Sequence, residues 1–200
     1  MMIGKRFNPW LLIWVSPRKT IRQIIEENPK KNFFLLVFLV SIAGLFSEHS
    51  INNLFVYPLI TIIFPFIAYL LSLAVIYINA ELLEWTGKWI GGQGNREEIR
   101  AALVWSFVPV IWSSIIKIIN LTLTIEVFNN NIASSFRYVL YFVEQIISIW
   151  AIIIYLQCLG ETQKFSIWKS LINSFLSLLV IVGPIAFFVG LGFYIKYLRS

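Results

Sequence analysis

Glu144 stands where a carboxylate is costly to place. It lies about six residues inside a long apolar stretch, and Gln145 follows it. Ionisable residues within membrane-spanning segments are rare, mark ion or proton pathways, and usually have a partner nearby. Lys117, near the end of the preceding apolar stretch, is the candidate partner. Three interpretations stay open: a structural pair of Glu144 and Lys117, a transport site that also uses Gln145, and a partly hydrated or neutral carboxyl group.

Four other carboxylates lie in the polar segment 81–98, which we predict to be a cytoplasmic loop, and oxygen ligands of this kind suit divalent cations. The spacing of an EF-hand is missing, and helix caps and surface ion pairs explain the same residues without a metal. We therefore predict no metal ion and no cofactor. The four residues are Glu81, Glu84, Glu97 and Glu98.

A glycine-rich motif, GGQG, lies in the same segment. Gly91, Gly92 and Gly94 permit backbone angles that other residues avoid. A phosphate-binding P-loop would end in Gly-Lys-Ser/Thr, and this motif does not. We therefore expect a tight turn into the next helix, which Asn95 and Glu98 begin with a capping box.

The remaining residue types argue against catalysis. The chain has one histidine (His49), one cysteine (Cys158) and no aspartate, and it lacks Gly-x-Ser-x-Gly and His-Glu-x-x-His motifs. Nucleophile–base pairs and zinc sites need such residues at defined spacings. We predict that the protein is not an enzyme.

The amino-acid composition indicates that the chain lies in a membrane rather than in water. Of its 200 residues, 58% are hydrophobic and only 13% are charged, whereas a soluble domain has about a quarter charged residues. The mean hydropathy is +0.79. The net charge of +6 comes from basic residues beside apolar stretches, which sets membrane orientation and does not indicate nucleic-acid binding. The lipid bilayer is the predicted partner.

The apolar stretches predict an all-α, polytopic membrane protein with five transmembrane helices. A span needs about 20 apolar residues. The first stretch reaches this length only if it continues past Glu48 and His49, and the third contains Pro109 near its middle. The predicted spans are 33–53, 54–80, 99–119, 138–158 and 171–195.

Residues 1–32 form the main polar segment and precede a transmembrane domain at 33–200. Asn8 followed by Pro9 predicts one helix start, and Ser16 followed by Pro17 predicts a second. The second helix is amphipathic and should end at Asn28. We expect this helix to lie at the membrane surface as an interfacial amphipathic helix; the alternative is that it packs against the protein's own loops.

Charge distribution predicts the orientation. With five spans, 12 of the 16 basic residues fall on the side of the N-terminus. Basic residues concentrate on the cytoplasmic side of membranes. We therefore predict a cytoplasmic N-terminus and a C-terminus on the opposite side.

The order of these features resembles the Yip-domain family, the Ypt/Rab-interacting membrane proteins and their prokaryotic relatives. The resemblance covers nearly the whole chain, and its motifs are individually weak. They are Asn8-Pro9-Trp10, Ser16-Pro17-Arg18 with Thr20, Asn28-Pro29, Gly91-Gly92-Gln93-Gly94, and Ala101-Ala102-Leu103 followed by Pro109.

This resemblance implies five membrane helices and a non-enzymatic role that acts through interactions within or at the membrane, with itself or another membrane protein. It marks Gly91, Gly92, Gly94 and Pro109 as structural positions. The short N-terminal segment resembles the prokaryotic branch, which implies the plasma membrane of a prokaryote and does not support a soluble GTPase partner. A small-solute or ion transporter that uses Glu144 is the alternative function.

Overall fold

The chain is helical throughout the part that is described. The computed structural model describes residues 8–45, 58–123 and 131–198, which form eight helices and no strand. This confirms the all-α prediction. The helices are α1 (Pro9–Val15), α2 (Pro17–Glu27), α3 (Phe33–Leu45), α4 (Pro58–Trp89), α5 (Arg96–Ser106), α6 (Val108–Thr122), α7 (Asn131–Gln163) and α8 (Ile167–Leu198).

Four segments are long and apolar enough to cross a membrane, and a fifth is shorter. The four are Ile63–Trp89, Arg96–Asn120, Ser135–Gln163 and Ile167–Leu191. The shorter one, Phe33–Gly44, is the beginning of the predicted first span. The rest of that span, with Glu48 and His49, lies outside the described residues. The architecture is therefore that of a multi-pass membrane protein.

Two helices extend well beyond their predicted limits. α4 runs to Trp89, so Glu81 and Glu84 lie on a helix, and placing them on a loop was wrong. α7 begins seven residues before Tyr138 and ends at Gln163. Hydropathy marks where a helix leaves the hydrocarbon, whereas the helix itself continues as long as its polar groups are satisfied, as in the 2.7 Å pair between Glu84 and Lys88 one turn apart.

The third span is two helices with a break at Phe107. Pro109 lacks the N–H that would bond to the Trp105 carbonyl, and its ring crowds that carbonyl. At the break, the Phe107 N–H bonds to the Val104 carbonyl at 3.3 Å. The helical pattern begins again where the Ile111 N–H bonds to the Phe107 carbonyl at 3.0 Å. The predicted mid-span proline therefore divides α5 from α6.

The N-terminal helices begin and end at the predicted residues. The Asn8 side chain accepts a hydrogen bond from the Trp10 N–H, Pro9 and Pro17 begin α1 and α2, and Asn28 caps the end of α2. The Ser16 side chain makes no cap, and its carbonyl accepts the Thr20 hydroxyl instead.

α2 packs on the protein and not only on a membrane surface. Ile21 and Ile24 are completely buried against α5 and α7. Arg22 Nε donates to Glu161 Oε1 at 2.7 Å, and Arg18 Nη2 donates to the Phe165 carbonyl at 3.1 Å. Of the two predicted placements of this amphipathic helix, the structure therefore supports packing against the rest of the chain.

α1 lies beside the bundle with one face buried and one exposed. Ile13 is completely buried, and the rings of Trp10 and Trp105 meet edge to face at 5.7 Å. Trp150 on α7 donates to the Trp14 carbonyl at 3.2 Å. The outer face carries exposed apolar side chains, Leu11, Leu12 and Val15. A short helix of this kind suits the boundary between lipid and headgroups.

Charge reversal at Glu161 tests the docking of α2. In Glu161→Lys a buried carboxylate, 7% exposed, is replaced by a cation that faces Arg22. Only the Glu161 side of this pair is buried, and a lysine there would repel Arg22, so α2 should undock more often and an arginine-specific protease should cut at Arg22 at least about tenfold faster. The control is Glu97→Lys, which breaks the exposed pair with Lys30 and should leave the rate unchanged. Equal rates in the two variants would show that α2 does not depend on α7.

Candidate functional site

The GGQG turn ends α4 in a defined geometry. Gly91 has a φ of 83°, which favours glycine. The Gly92 N–H bonds to the Gly87 carbonyl at 2.7 Å, and the Gly91 N–H bonds to the Lys88 carbonyl at 3.1 Å. This pair of bonds is the Schellman motif, which satisfies the last carbonyls of a helix. The predicted tight turn is present.

The turn closes around a buried side chain, Gln163, at the end of α7. Gln163 is 1% exposed; its Nε2 donates to the Leu83 carbonyl at 2.9 Å, and its Oε1 accepts the Gly94 N–H at 3.2 Å. A Cβ on Gly87 or Gly92 would collide with the Gln163 amide, and one on Gly94 would lie 2.7 Å from the Thr162 carbonyl oxygen. The glycines therefore permit α7 to approach α4 and the turn closely.

A second buried amide reaches the same carbonyl from α8. Asn173 is completely buried, and its Nδ2 donates to the Leu83 carbonyl at 3.1 Å. Its Oδ1 lies 2.7 Å from the Thr86 hydroxyl. Three helices, α4, α7 and α8, are thus joined at one point. We call Leu83, Thr86, Gln163 and Asn173 the amide junction.

Ion pairs surround the amide junction at the same end of the bundle. Glu84, with its side chain 11% exposed, accepts from Lys88 at 2.7 Å and from Arg96 Nε at 3.0 Å. Arg96 also contacts Glu81 at 3.1 Å. The pair of Arg96 and Glu84 connects the start of α5 to α4 across the glycine turn. We call this end, with Arg22, Glu84, Arg96 and Glu161, the charged end.

The other carboxylates of segment 81–98 also serve structure. Glu97 pairs with Lys30 at 3.2 Å, which links the N-terminal segment to α5. Asn95 and Glu98 form the predicted capping box at the start of α5. In the ranges that the structure describes, no group of three acidic, histidine or cysteine residues could hold a metal ion.

Arg22 stays charged at this end of the molecule. The hydrogen bond and the charge of Glu161 raise the pKa of the Arg22 guanidinium above its usual value. The guanidinium is about half exposed, so water also supports its charge. The pair therefore acts as a permanent ionic link between α2 and α7.

Glu144, Lys117 and Gln145 are not assembled into one site. Glu144 is half-buried on α7 with its Oε1 shielded from solvent, and it is engaged in an interaction of its own. Lys117 is half-buried on α6, and Gln145 is exposed. Among the described residues no ion pair joins Lys117 to Glu144. These positions therefore do not decide among the three interpretations of Glu144.

Gln163, Asn173 and Thr86 were missed by sequence reasoning. A signal existed for Asn173, because it shares one helical face with Ser170, Ser174 and Ser177 in an otherwise apolar stretch. Ser170 and Ser177 are buried as well, and polar residues on one face of a membrane helix mark the side that packs.

A comparison with models of known protein families gives a match over most of the chain. A family model described as the Yip1 domain matches residues 11–190. No curated protein and no solved structure matches the chain significantly.

Substitution of Gly94 tests the closure of the turn on α7. The Cβ of Gly94→Ala would press on the Thr162 carbonyl, and such overpacking costs about 1–3 kcal/mol. The thermal midpoint of the protein in nanodiscs should fall by several degrees. Gly44→Ala is the matched control, because a Cβ there meets nothing within 4 Å. A midpoint for Gly94→Ala equal to that of the control would show that the turn does not hold α7.

Proposed function

Because the chain belongs to the Yip1-domain family, we propose that it is a non-enzymatic membrane protein that acts through lateral contacts with a second copy or another membrane protein. Such contacts would organise the membrane around it. No soluble GTPase partner forms part of this proposal.

One observation carries the proposal: the polar side chains of the charged end are used to hold the protein's own helices together. Gln163 and Asn173 bond to α4, Glu161 bonds to α2, and Arg96 bonds to Glu84. Groups that already satisfy one another are poorly placed to bind a substrate. The surface that remains for a partner is therefore the apolar face of the membrane-spanning helices.

α8 offers the most open part of that surface. Of the apolar window in Ile167–Leu191 only 6% is buried. Gly183, Ala186 and Gly190 are exposed. At about 100° per residue they project away from the buried Asn173 and Ser177. Small residues at such spacing let a second membrane helix approach closely.

The alternative function, transport through Glu144, predicts a polar path to that residue. A largely apolar cavity reaches Ser148, one turn away from Glu144, and Glu144 is not among its lining residues. The described geometry therefore favours the interaction role over transport.

We also propose that the charged end faces the cytoplasm, in the plasma membrane of a prokaryote. This end carries the basic residues of α2 and of the α4–α5 turn, and positive charge is retained on the cytoplasmic side. The C-terminus then lies on the opposite side.

Photo-crosslinking from α8 tests the lateral contact. Phe187 lies beside Gly183 and Gly190 on the exposed face, and Phe188 projects from the helix about 100° farther round at nearly the same depth. A photoreactive phenylalanine analogue at position 187 should give a discrete protein adduct in native membranes, and the same analogue at 188 should give at least about fivefold less. Gly190→Leu should abolish the adduct from 187, since the larger side chain blocks close approach. Equal or diffuse labelling from both positions would contradict the proposal.

Cysteine labelling tests the orientation. Cys158 is completely buried, so the unaltered chain gives the background. Gln93→Cys, at the exposed turn of the charged end, should react with a membrane-impermeant maleimide in inverted vesicles and not in intact cells. A cysteine added after residue 200 should behave in the opposite way. Labelling of Gln93→Cys from outside intact cells would reverse the assignment.

A further inference from the structure

A cavity of about 480 Å³ lies between α4, α5, α6 and α7. Leu103 on α5 and Ala151 on α7, both less than a tenth exposed, line this cavity. Cavities of about 300–1,000 Å³ are the size class of small-ligand sites. The amide junction, the ion pairs and the family match do not account for this space.

The wall of the cavity is mostly apolar, and its polar side chains bond within the protein, Tyr155 to Ser174 on α8 and three others to backbone carbonyls. Asn79 Nδ2 donates to the Val75 carbonyl at 2.9 Å. Ser106 Oγ donates to the Leu103 carbonyl at 2.6 Å, and Ser148 Oγ donates to the backbone carbonyl of Glu144 at 2.9 Å. Each of these groups bonds to its own helix backbone. Water in a cavity needs two to four polar partners, and apolar cavities instead take apolar guests. The cavity therefore suits a hydrocarbon rather than an ion or a polar solute.

The depth of the cavity places it in the hydrocarbon of a bilayer. Asn79 comes ten residues before the end of α4 at Trp89, which is about 15 Å along a helix. Tyr155 comes eight residues before the end of α7 at Gln163, or about 12 Å. Both distances fall inside a hydrocarbon core about 30 Å thick if the charged end lies at its boundary.

The cavity is continuous with the lipid-facing surface. α4 and α7 each pack on α5 and on α8, and apart from the amide junction they have few contacts with each other. Val75 and Ile152 line the cavity and are more than half exposed, so the opening lies between these two helices. The opening faces the lipid side of the bundle, where acyl chains are the apolar molecules that a bilayer supplies.

We propose that this cavity is a lipid site that takes one acyl chain of a bilayer phospholipid, entering between α4 and α7. The headgroup remains outside, and the chain lies against Leu103, Val110 and Ala151. This assignment is independent of the partner interaction at α8, because the two surfaces share no residue.

The test reconstitutes the full chain in phosphatidylglycerol nanodiscs with a trace of phosphatidylglycerol that carries a diazirine midway along one acyl chain. Mass spectrometry then locates the adducts. Bulk lipid cannot reach the buried wall, so adducts on Leu103 show that a chain has entered. Val104, its completely buried neighbour outside the cavity, is the internal control. Adducts on Leu103 should exceed those on Val104 at least about tenfold.

Filling the cavity should remove these adducts. Ala151→Phe from α7, and independently Val110→Phe from α6, should reduce Leu103 labelling at least about fivefold. Ile149→Phe is the control at the same depth, because Ile149 is 61% exposed on the outer face of α7. Leu103 labelling at the level of Val104 in the unaltered protein, or unchanged labelling in a filled variant that stays monodisperse, would overturn the assignment. The test leaves the α8 contact untouched, so either proposal can fail alone.

Discussion

The carbonyl oxygen of Leu83 accepts two amide side chains from distant parts of the chain, and the arrangement of the bundle depends on that convergence. Gln163 is 80 residues away and Asn173 is 90. Each amide is buried, where an unmade hydrogen bond would cost about 1–3 kcal/mol. Only a narrow set of positions of α4, α7 and α8 satisfies both. The amide junction therefore fixes how these helices meet, and Gly87 permits it because a side chain there would occupy the place of the Gln163 amide.

Many of the polar contacts that join helices in the described part of the chain lie at the charged end of the bundle. Hydrogen bonds and ion pairs hold α2, α4, α5, α7 and α8 together at the charged end. Farther along, apolar side chains pack as well against lipid as against one another, so no hydrophobic force brings these helices together. α8 accordingly runs on with most of its surface exposed, and α4 and α7 separate enough to leave a cavity between them.

Local signals in the sequence were sufficient wherever neighbouring residues decide the structure. Asn8 with Pro9, Asn28, and Asn95 with Glu98 each act within one turn, and the helix limits that they predict are correct. Glu81 and Glu84 were misplaced because hydropathy detects the edge of the hydrocarbon and not the end of a helix. Gln163 and Asn173 were missed because their partner is far away in sequence, and no local pattern shows which carbonyl an amide will reach.

The contrast between the polar charged end and the apolar part of the bundle bears on how the protein can work in a membrane. The outer face of α8 and the cleft between α4 and α7 lie beyond the charged end, on surfaces that face lipid. Contacts on these surfaces can exchange lipid for protein. The charged end then sets the position of each helix, while the composition of the surrounding bilayer decides what contacts them.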